Sequence, residues 1–251
     1  QGKVSYNRSN SYSNVINNHV IPSIGDMKLK EIKPIHIQQI LNGVLNKSSA
    51  LHHDILITLR QAFDYAIENG LATNNPAKNV KECGVETDEK EPLAKSEIDI
   101  LLKLVKDTRV EVFVYLALYC GLRKGEILAL EWKDIDFINK IVTIKKSVYF
   151  ENGVPFIGPP KSKAGYRTVP LPLQVHKLLC SKPKNNKYIV SAATGNLCSE
   201  GAYRRLWDIV VNALQKPNEK KKSVENKEEI ITDKQKRENM IFQVTAHKLR
   251  H

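Results

Sequence analysis

An apolar stretch, Val112–Tyr119, runs up to Cys120 and Gly121 and limits the folds that are open to this chain. Its composition predicts a buried helix, and a glycine can adopt the left-handed backbone conformation that ends a helix. A second apolar stretch, Ile127–Leu130, follows within a few residues and predicts the next helix. The sequence therefore predicts two consecutive buried helices joined by a short connection.

Two charged residues lie in the first turn of the second predicted helix. Arg123 comes two residues after Gly121, at a boundary where the scaffold holds it rigidly yet leaves it reachable. Glu126 is three residues further on, so both side chains project from one face of the helix. Taken alone, this pair is equally well explained as an ordinary ion pair at the surface.

A histidine and an arginine stand close together at the end of the sequence, in the string T-A-H-K-L-R-H. His247 and Arg250 are three residues apart, so on a helix they project from one face. A histidine in such a place is more often a satisfied core residue than a reactive one. The pair gains weight only in combination with other motifs.

A third motif lies between these two, in the string P-K-S-K-A-G-Y-R-T-V-P-L that begins at Pro160. In it, Lys161 precedes a predicted strand, Tyr166–Leu171. Upstream, Ile141–Val148 alternates apolar and polar residues, and Asn152-Gly153 is typical of a hairpin turn. We predict a small three-stranded antiparallel sheet that extends from the first of these strands to the last.

These three motifs, in this order and at this spacing, resemble those of the tyrosine recombinase (phage integrase) family, most like the integrases of conjugative transposons and phages. In that family an arginine from an A-x-x-x-G-L-R-x-G-E stretch and an H-x-L-R pair converge on one DNA phosphate, and a lysine lies on a β-hairpin. The resemblance covers nearly the whole chain. It implies site-specific DNA recombination, the integration or excision of a mobile element, through a 3′-phosphotyrosyl intermediate and without metal or other cofactor.

The resemblance also implies a catalytic role for individual residues. Arg123 and Arg250 hold the non-bridging oxygens of the phosphate, a task that suits guanidinium because it is planar, always charged and bidentate toward phosphate. Lys161 donates a proton to the departing 5′ oxygen, and Lys163, two residues on, is the alternative donor. His247 acts as an acid or a base near neutral pH.

Further residues are expected around this set. Glu126 is predicted to orient Arg123 or His247, and His251 is predicted to have a supporting role. Candidate DNA contacts are basic residues spread over the chain, among which the adjacent arginine pair is equally well explained as a solvated helix face: Lys30, Arg60, Lys163, Arg167, Arg204, Arg205 and Lys248.

The positive charge of the chain is concentrated in its second part. The first 90 residues carry 10 lysines and arginines against 9 acidic residues, whereas residues 91–251 carry 29 against 18. A basic domain suits a polyanion, and double-stranded DNA is the partner that the motifs favour. Charge alone fits a generic basic protein equally well.

The chain is expected to fold into two domains, mostly α with a small three-stranded antiparallel sheet. Residues 1–80 are predicted to form a helical core-binding domain, in which the polar residues 1–18 are a linker or the entry to the domain. Residues 81–91 are predicted to be a linker that lets the two domains close around a duplex as a clamp. Residues 92–251 are predicted to form a mixed α/β catalytic domain with a charged insertion at about 216–240.

The tyrosine nucleophile of the family lies beyond the H-x-L-R pair, and none of the nine tyrosines of this sequence lies there. The 251 residues are therefore expected to be a C-terminally truncated fragment that binds DNA without cleaving it. The full-length enzyme is expected to act as a tetramer on two duplexes, with an excisionase or a host DNA-bending protein as an accessory partner.

Two alternative functions remain open. A DNA-binding regulator without catalysis would use the same clamp, although it has no reason to keep His247 and Lys161. A metal nuclease is the weaker alternative because no cluster of carboxylates has ligand spacing. Four scattered cysteines and the absence of an apolar stretch of ~18 residues predict a protein of the bacterial cytoplasm without membrane partners.

Overall fold

Two compact units make up the chain, Gln1–Glu89 and Lys90–His251. The computed structural model describes residues 4–82, 85, 91–215 and 244–250. The predicted insertion at 216–240, most of the predicted linker at 81–91 and His251 lie outside these residues. Among the helices that are described, none is both long and apolar enough to cross a membrane.

The first unit is built from helices whose apolar faces share one core. Its helices α1–α4 are Tyr6–Val15, Ile21–Ile24, Pro34–Asn42 and Ser49–Glu68. A π-helical segment, Ile16–Val20, joins the first two, and a 3-10 turn, Leu29–Glu31, precedes the third. Each of the four helices buries at least one apolar side chain in the core of this unit, among them Val15, Ile24, Leu41 and Leu56.

Residues 1–18, interpreted from the sequence as a linker or the entry to the domain, include a helix of this unit, because α1 begins at Tyr6. Serine and asparagine have low intrinsic helix propensity, so contacts with α4 must supply the stability. Arg8 Nη1 lies 3.2 Å from Asp54 Oδ1. The Tyr12 hydroxyl donates a hydrogen bond to Gln61 Oε1 at 2.8 Å, which ties a second turn of α1 to α4.

The second unit combines helices with two small sheets. Helices α5–α9 are Lys95–Val105, Glu111–Cys120, Lys124–Ala129, Leu173–Ser181 and Glu200–Ala213. Strands β1–β5 are Ile135–Asp136, Ile141–Ile144, Ser147–Glu151, Val154–Gly158 and Arg167–Pro170. The prediction of a mostly helical fold with a small three-stranded antiparallel sheet is confirmed.

Helix α6 lies at the centre of the second unit. It is apolar on every face, the pattern of a helix that is surrounded by protein. Phe113 and Leu116 are fully buried, and the core that gathers around them includes residues of all five helices. Burial raises the pKa of the Cys120 thiol, at the end of α6, to about 11.

The three-stranded sheet contains a different set of strands from the predicted one. Its order is β1-β2-β5, whereas β3 and β4 form a separate hairpin around the predicted Asn152-Gly153 turn. The prediction of one strand over Ile141–Val148 was wrong, because the chain leaves the sheet at Lys145-Lys146. The ammonium group of Lys146 pairs there with the buried carboxylate of Glu131, which fixes the break between β2 and β3.

Candidate active site

The junction between α6 and α7 positions the first candidate residue. Gly121 ends α6 with φ of 61°, in the left-handed region that the sequence predicted. Arg123 follows as the N-cap of α7, with the extended backbone (φ −73°, ψ 153°) that this position requires. The N-cap position holds its backbone, and its side chain is half exposed, so the guanidinium remains reachable from solvent.

Glu126 is the buried centre of this site. Its side chain is only 2% exposed, which means that its charge has lost nearly all contact with water. Oε2 accepts the backbone N–H of Arg123 at 2.8 Å, and Oε1 accepts the Arg123 guanidinium at 3.0 Å. Burial alone would raise the pKa of Glu126, but hydrogen bonds from Arg167 and Arg123 outweigh it and lower the pKa, so the carboxylate stays ionised.

Arg167, the first residue of β5, supplies the other donors to Glu126. Its Nη2 lies 2.8 Å from Oε2 and its Nη1 lies 2.9 Å from Oε1, a bidentate pair. Nη1 also donates to the backbone carbonyl of Gly165 at 3.3 Å. The hydrogen bond to Glu126 is the main reason why the pKa of Arg167 is raised. The sequence predicted Arg167 as a DNA contact, whereas the structure directs both terminal nitrogens into the protein.

The end of the described chain returns to the junction between α6 and α7. Leu249 is buried in the core of the unit and anchors a 3-10 turn, Lys248–Arg250, where the sequence predicted a helix over His247–Arg250. The side chain of Arg250 lies beside Gly121, since a Cβ atom placed on that glycine would be 3.9 Å from Arg250 Cγ. The backbone N–H of Arg250 donates to the carbonyl of His247 at 3.1 Å, and His247 is exposed.

Lys161 and Lys163 are both exposed in the connection between β4 and β5. Lys161 lies three residues after the end of β4, beyond Pro159 and Pro160, and Lys163 begins a 3-10 turn, Lys163–Gly165. The base of this connection is tightly packed, because a Cβ atom on Gly165 would be only 2.3 Å from Cβ of Pro160. The lysine loop, which we define as residues 160–165, is therefore anchored at its two ends while its lysines face solvent.

The other predicted DNA contacts differ in how their side chains are placed. Lys30, Arg204 and Arg205 are exposed, and Lys248 is partly exposed. Arg60 is partly buried and donates to the carbonyl of Ala77 at 3.1 Å and of Val80 at 2.9 Å, which holds the end of the first unit together.

Tyr119 and Tyr149 make aromatic contacts within the second unit. The Tyr119 ring lies 5.6 Å from that of Tyr115 and packs against the core. Tyr149 stacks on Phe156 across the β3–β4 hairpin, with ring centroids 5.8 Å apart. Among the described residues no group of three or more His, Cys, Asp or Glu is placed to hold a metal ion.

The bond between Arg167 and Glu126 was missed in the sequence. The two residues are 41 positions apart, and neither helical nor strand periodicity relates them. A basic residue at the start of a strand and an acidic residue in the first turn of a helix are common on any surface. Only the meeting of β5 with the start of α7 makes them partners.

Comparison with known proteins gives consistent matches over both units. The model of the phage integrase family matches residues 91–251, and the model of the phage integrase N-terminal SAM-like domain matches residues 1–45. The chain is 31% identical to the tyrosine recombinase XerC-like protein of Caldanaerobacter subterraneus subsp. tengcongensis over 186 residues, 67% of this chain and 46% of that protein. It is 28% identical to the ICEBs1 integrase of Bacillus subtilis over 184 residues, 70% of this chain and 49% of that protein.

The chain thus spans about half the length of these two curated relatives. Among solved structures, the Tn1549 transposon integrase in complex with transposon right end DNA matches with a TM-score of 0.77 at 18% identity, covering 100% of this chain and 80% of that one. A lambda integrase tetramer bound to a Holliday junction matches with a TM-score of 0.66 at 19% identity, covering 99% and 66%. At these identities the comparison establishes the shared fold.

Proposed function

Because this chain belongs to the phage integrase family of tyrosine recombinases, as its three motifs predicted, we propose that it is the DNA-binding and catalytic part of a site-specific DNA recombinase. Its substrate is double-stranded DNA at the attachment site of a mobile element. The relatives named as integrases of ICEBs1 and Tn1549 support an element of that kind.

The observation that carries this proposal is the return of Arg250 to the junction that bears Arg123. Gly121 lies beside the Arg250 side chain and two residues before Arg123, so the two arginines extend from one small region of the surface. Two planar, permanently charged groups in one place suit the non-bridging oxygens of one phosphate. In this role they stabilise the negative charge that grows on phosphorus substituents during cleavage.

The remaining chemistry is a balanced exchange at phosphorus. The hydroxyl of a tyrosine loses its proton and forms a bond to phosphorus, while the bond from phosphorus to the 5′ oxygen breaks. That departing oxygen takes up a proton, for which we propose Lys161 as donor, since its ammonium group lies on an exposed loop. His247 serves as acid or base beside Arg250. Attack by a 5′-hydroxyl of the partner strand reverses these steps and joins the new strand.

Glu126 has a supporting role in this proposal. It accepts hydrogen bonds from the backbone N–H and the guanidinium of Arg123, so it orients Arg123 toward the phosphate without itself touching DNA. A carboxylate in this place must stay ionised to keep the geometry, and its lowered pKa satisfies that condition across the neutral range.

We propose that recombination requires four protomers on two duplexes, in line with the lambda integrase tetramer bound to a Holliday junction. An excisionase or a host DNA-bending protein is the accessory partner that we expect. The reaction would take place in the bacterial cytoplasm, where the chromosomal DNA lies.

The proposal is tested with a covalent-capture assay. The target site is first selected from a random duplex library by the 251-residue chain. The protein expressed from its complete reading frame is then incubated with a nicked duplex of that sequence, in which the short leaving strand diffuses away and traps the intermediate. We expect a covalent protein–DNA band on a denaturing gel, lost in Arg123→Ala. If the unchanged protein binds the selected sequence without forming a covalent band, and Arg123→Ala binds it equally well, a non-catalytic DNA-binding regulator would be favoured instead.

A further inference from the structure

Arg167 lies in the middle of a motif that is typical of a DNA-binding family, yet its side chain does not point at solvent. Its side chain is 26% exposed, and its two terminal nitrogens chelate a carboxylate that is 2% exposed. A DNA phosphate would have to compete with this buried carboxylate for the same donors. Removing one partner of such a pair leaves an uncompensated buried charge, so the competition is unfavourable.

Arg167 also joins two parts of the unit that are distant in sequence. Through Glu126 it acts on the N-cap of α7, because the same carboxylate holds the backbone and guanidinium of Arg123. Through Nη1 it holds the carbonyl of Gly165, the last residue of the lysine loop. The guanidinium of Arg167 therefore fixes both Arg123 and the loop that carries Lys161.

Charge balance gives Arg167 a second effect. A single carboxylate paired with Arg123 alone would offset the positive charge that faces the phosphate. Glu126 shares its charge between two guanidinium groups, so the cluster of three keeps one net positive charge. The carboxylate can then orient Arg123 without cancelling its attraction for an anion.

From these contacts we infer that Arg167 is a positioning residue of the recombinase, which sets Arg123 and the lysine loop in register with each other through Glu126 and Gly165. The inference rests on the proposed function, since it concerns how that active site is assembled. Lysine cannot replace Arg167, because one ammonium group lacks the planar fork that reaches both carboxylate oxygens and the carbonyl.

The test compares four variants with the unchanged protein, each expressed from the complete reading frame, on the nicked duplex. Arg167→Gln removes the charge, Arg167→Lys keeps it, and Glu126→Gln combined with Arg167→Gln removes the buried charge together with its partner. The matched control is Arg109→Gln, since Arg109 also donates to a backbone carbonyl at 3.3 Å, that of Ser191, in the same unit.

Cleavage rate at saturating protein and DNA affinity are measured separately. We expect Arg167→Gln and Arg167→Lys to bind DNA within about twofold of the unchanged protein, because backbone contacts elsewhere hold the duplex. Their cleavage rates should fall roughly 10²-fold, the size of effect that a misplaced catalytic group produces. Arg109→Gln should keep both values. A loss of affinity with a normal rate at saturation would make Arg167 a direct DNA contact and overturn the inference.

A second substrate separates positioning from simple loss of folded protein. In a duplex with sulfur at the bridging 5′ position the leaving thiolate needs no proton, so a displaced Lys161 costs nothing there. We expect the sulfur substrate to raise the cleavage rate of Arg167→Gln about tenfold, which recovers part of its loss, and to leave the cleavage rate of Arg123→Ala unchanged. A variant that is merely unfolded loses the same fraction of activity on both substrates, an outcome that would overturn the inference.

Two further readouts keep the test decisive. If Arg167→Gln fails to fold, Arg167→Lys, which keeps a positive charge beside Glu126, carries the same expectations, and the double variant, which buries no unpaired charge, shows whether the unit folds without this ion pair. When Arg123→Lys is combined with Arg167→Gln, the two rate losses should be less than additive, because one acts through the other. Full additivity would contradict the inference. Failure of the proposed function itself looks different, since the unchanged protein would then give no covalent band.

Discussion

The side chain of Arg250 lies beside Gly121, at the distance where a Cβ atom on the glycine would just touch Cγ of the arginine. This places the last helical turn described in the chain against the end of its most buried helix. The backbone conformation of Gly121 therefore affects the positions of both Arg123 and Arg250.

The first prediction concerns Gly121→Ala. An alanine at φ of 61° is strained by about 1–2 kcal/mol, although its methyl group makes only ordinary contact with Arg250. We expect a loss of stability of that size and a fall in cleavage rate, because the strain is relieved by moving the start of α7. Calorimetry and the covalent-capture assay measure the two effects.

Gly70→Ala is the matched control for this change. Gly70 has φ of 69°, has no neighbour within 4 Å and lies in the first unit, beyond the end of α4. It should lose similar stability and keep its cleavage rate. Equal cleavage rates for Gly121→Ala and Gly70→Ala would show that the α6–α7 junction does not affect catalysis.

The second prediction is that DNA binding by the 251-residue chain is strongly dependent on salt. Residues 91–251 carry 29 lysines and arginines against 18 acidic residues, so counterion release should dominate the affinity. Fluorescence anisotropy with the selected duplex should show a loss of orders of magnitude between ~50 and ~200 mM salt if about six or more phosphates are neutralised. A flat response would show that charge does not drive binding.

The third prediction concerns the two phosphate arginines. Arg123→Lys keeps the charge but loses the bidentate fork, and the lysine cannot reproduce the bond from guanidinium to Glu126 at 3.0 Å. Since one preorganised donor in a transition state is worth ~10²–10³ in rate, both Arg123→Lys and Arg250→Lys should cleave that much more slowly. Affinity should change little, as other backbone contacts remain. Parallel losses of rate and affinity would assign these arginines to ground-state binding.

The fourth prediction separates the two lysines of the lysine loop. Lys161→Ala should lose cleavage on ordinary DNA and regain it on the duplex with a bridging 5′ sulfur, because a thiolate leaves without a proton. Lys163→Ala is the matched change two residues away on the same exposed loop, and it should lose only affinity. Rescue of Lys163→Ala instead would transfer the proton-donor role to Lys163, and rescue of Arg123→Ala would show that the roles are wrongly assigned.

The fifth prediction concerns stability at acid pH. Burial alone would raise the pKa of Glu131, but hydrogen bonds from Lys133 and Lys146 outweigh it and lower the pKa from 4.5 to about 2. A lowered pKa means that the stabilisation is fully present above pH 4.5 and is lost as the pH falls through about 2. We expect Glu131→Gln to remove this part of the acid transition and about 1–2 kcal/mol at neutral pH, after allowance for solvent screening at exposed Lys133.

Glu200→Gln is the control for this measurement, because Glu200 is exposed at the start of α9 in the same unit. Its unfolding free energy, followed by urea titration between pH 2 and 7, should retain the acid dependence of the unchanged protein. An unaltered acid dependence in Glu131→Gln would place the responsible carboxylate elsewhere.

The parts of the fold that the sequence predicted well depend on neighbours along the chain. Gly121 ends α6, and Asn152-Gly153 turns the β3–β4 hairpin. In each case the decisive interaction spans no more than a few residues. Periodicity and turn chemistry record such interactions directly.

The family, the mostly helical fold and the residue types of the candidate site could be predicted from the sequence, because each motif and each helical spacing is a short pattern that the chain displays directly. Tertiary structure alone decided that α1 is helical, that β5 pairs with β2, and that Arg167 binds Glu126 instead of facing outward. Each of these outcomes depends on groups far apart in the chain meeting in the folded unit. A buried carboxylate such as Glu126 selects its partners by the cost of leaving its charge unpaired, and that cost arises only once the surrounding protein has excluded water.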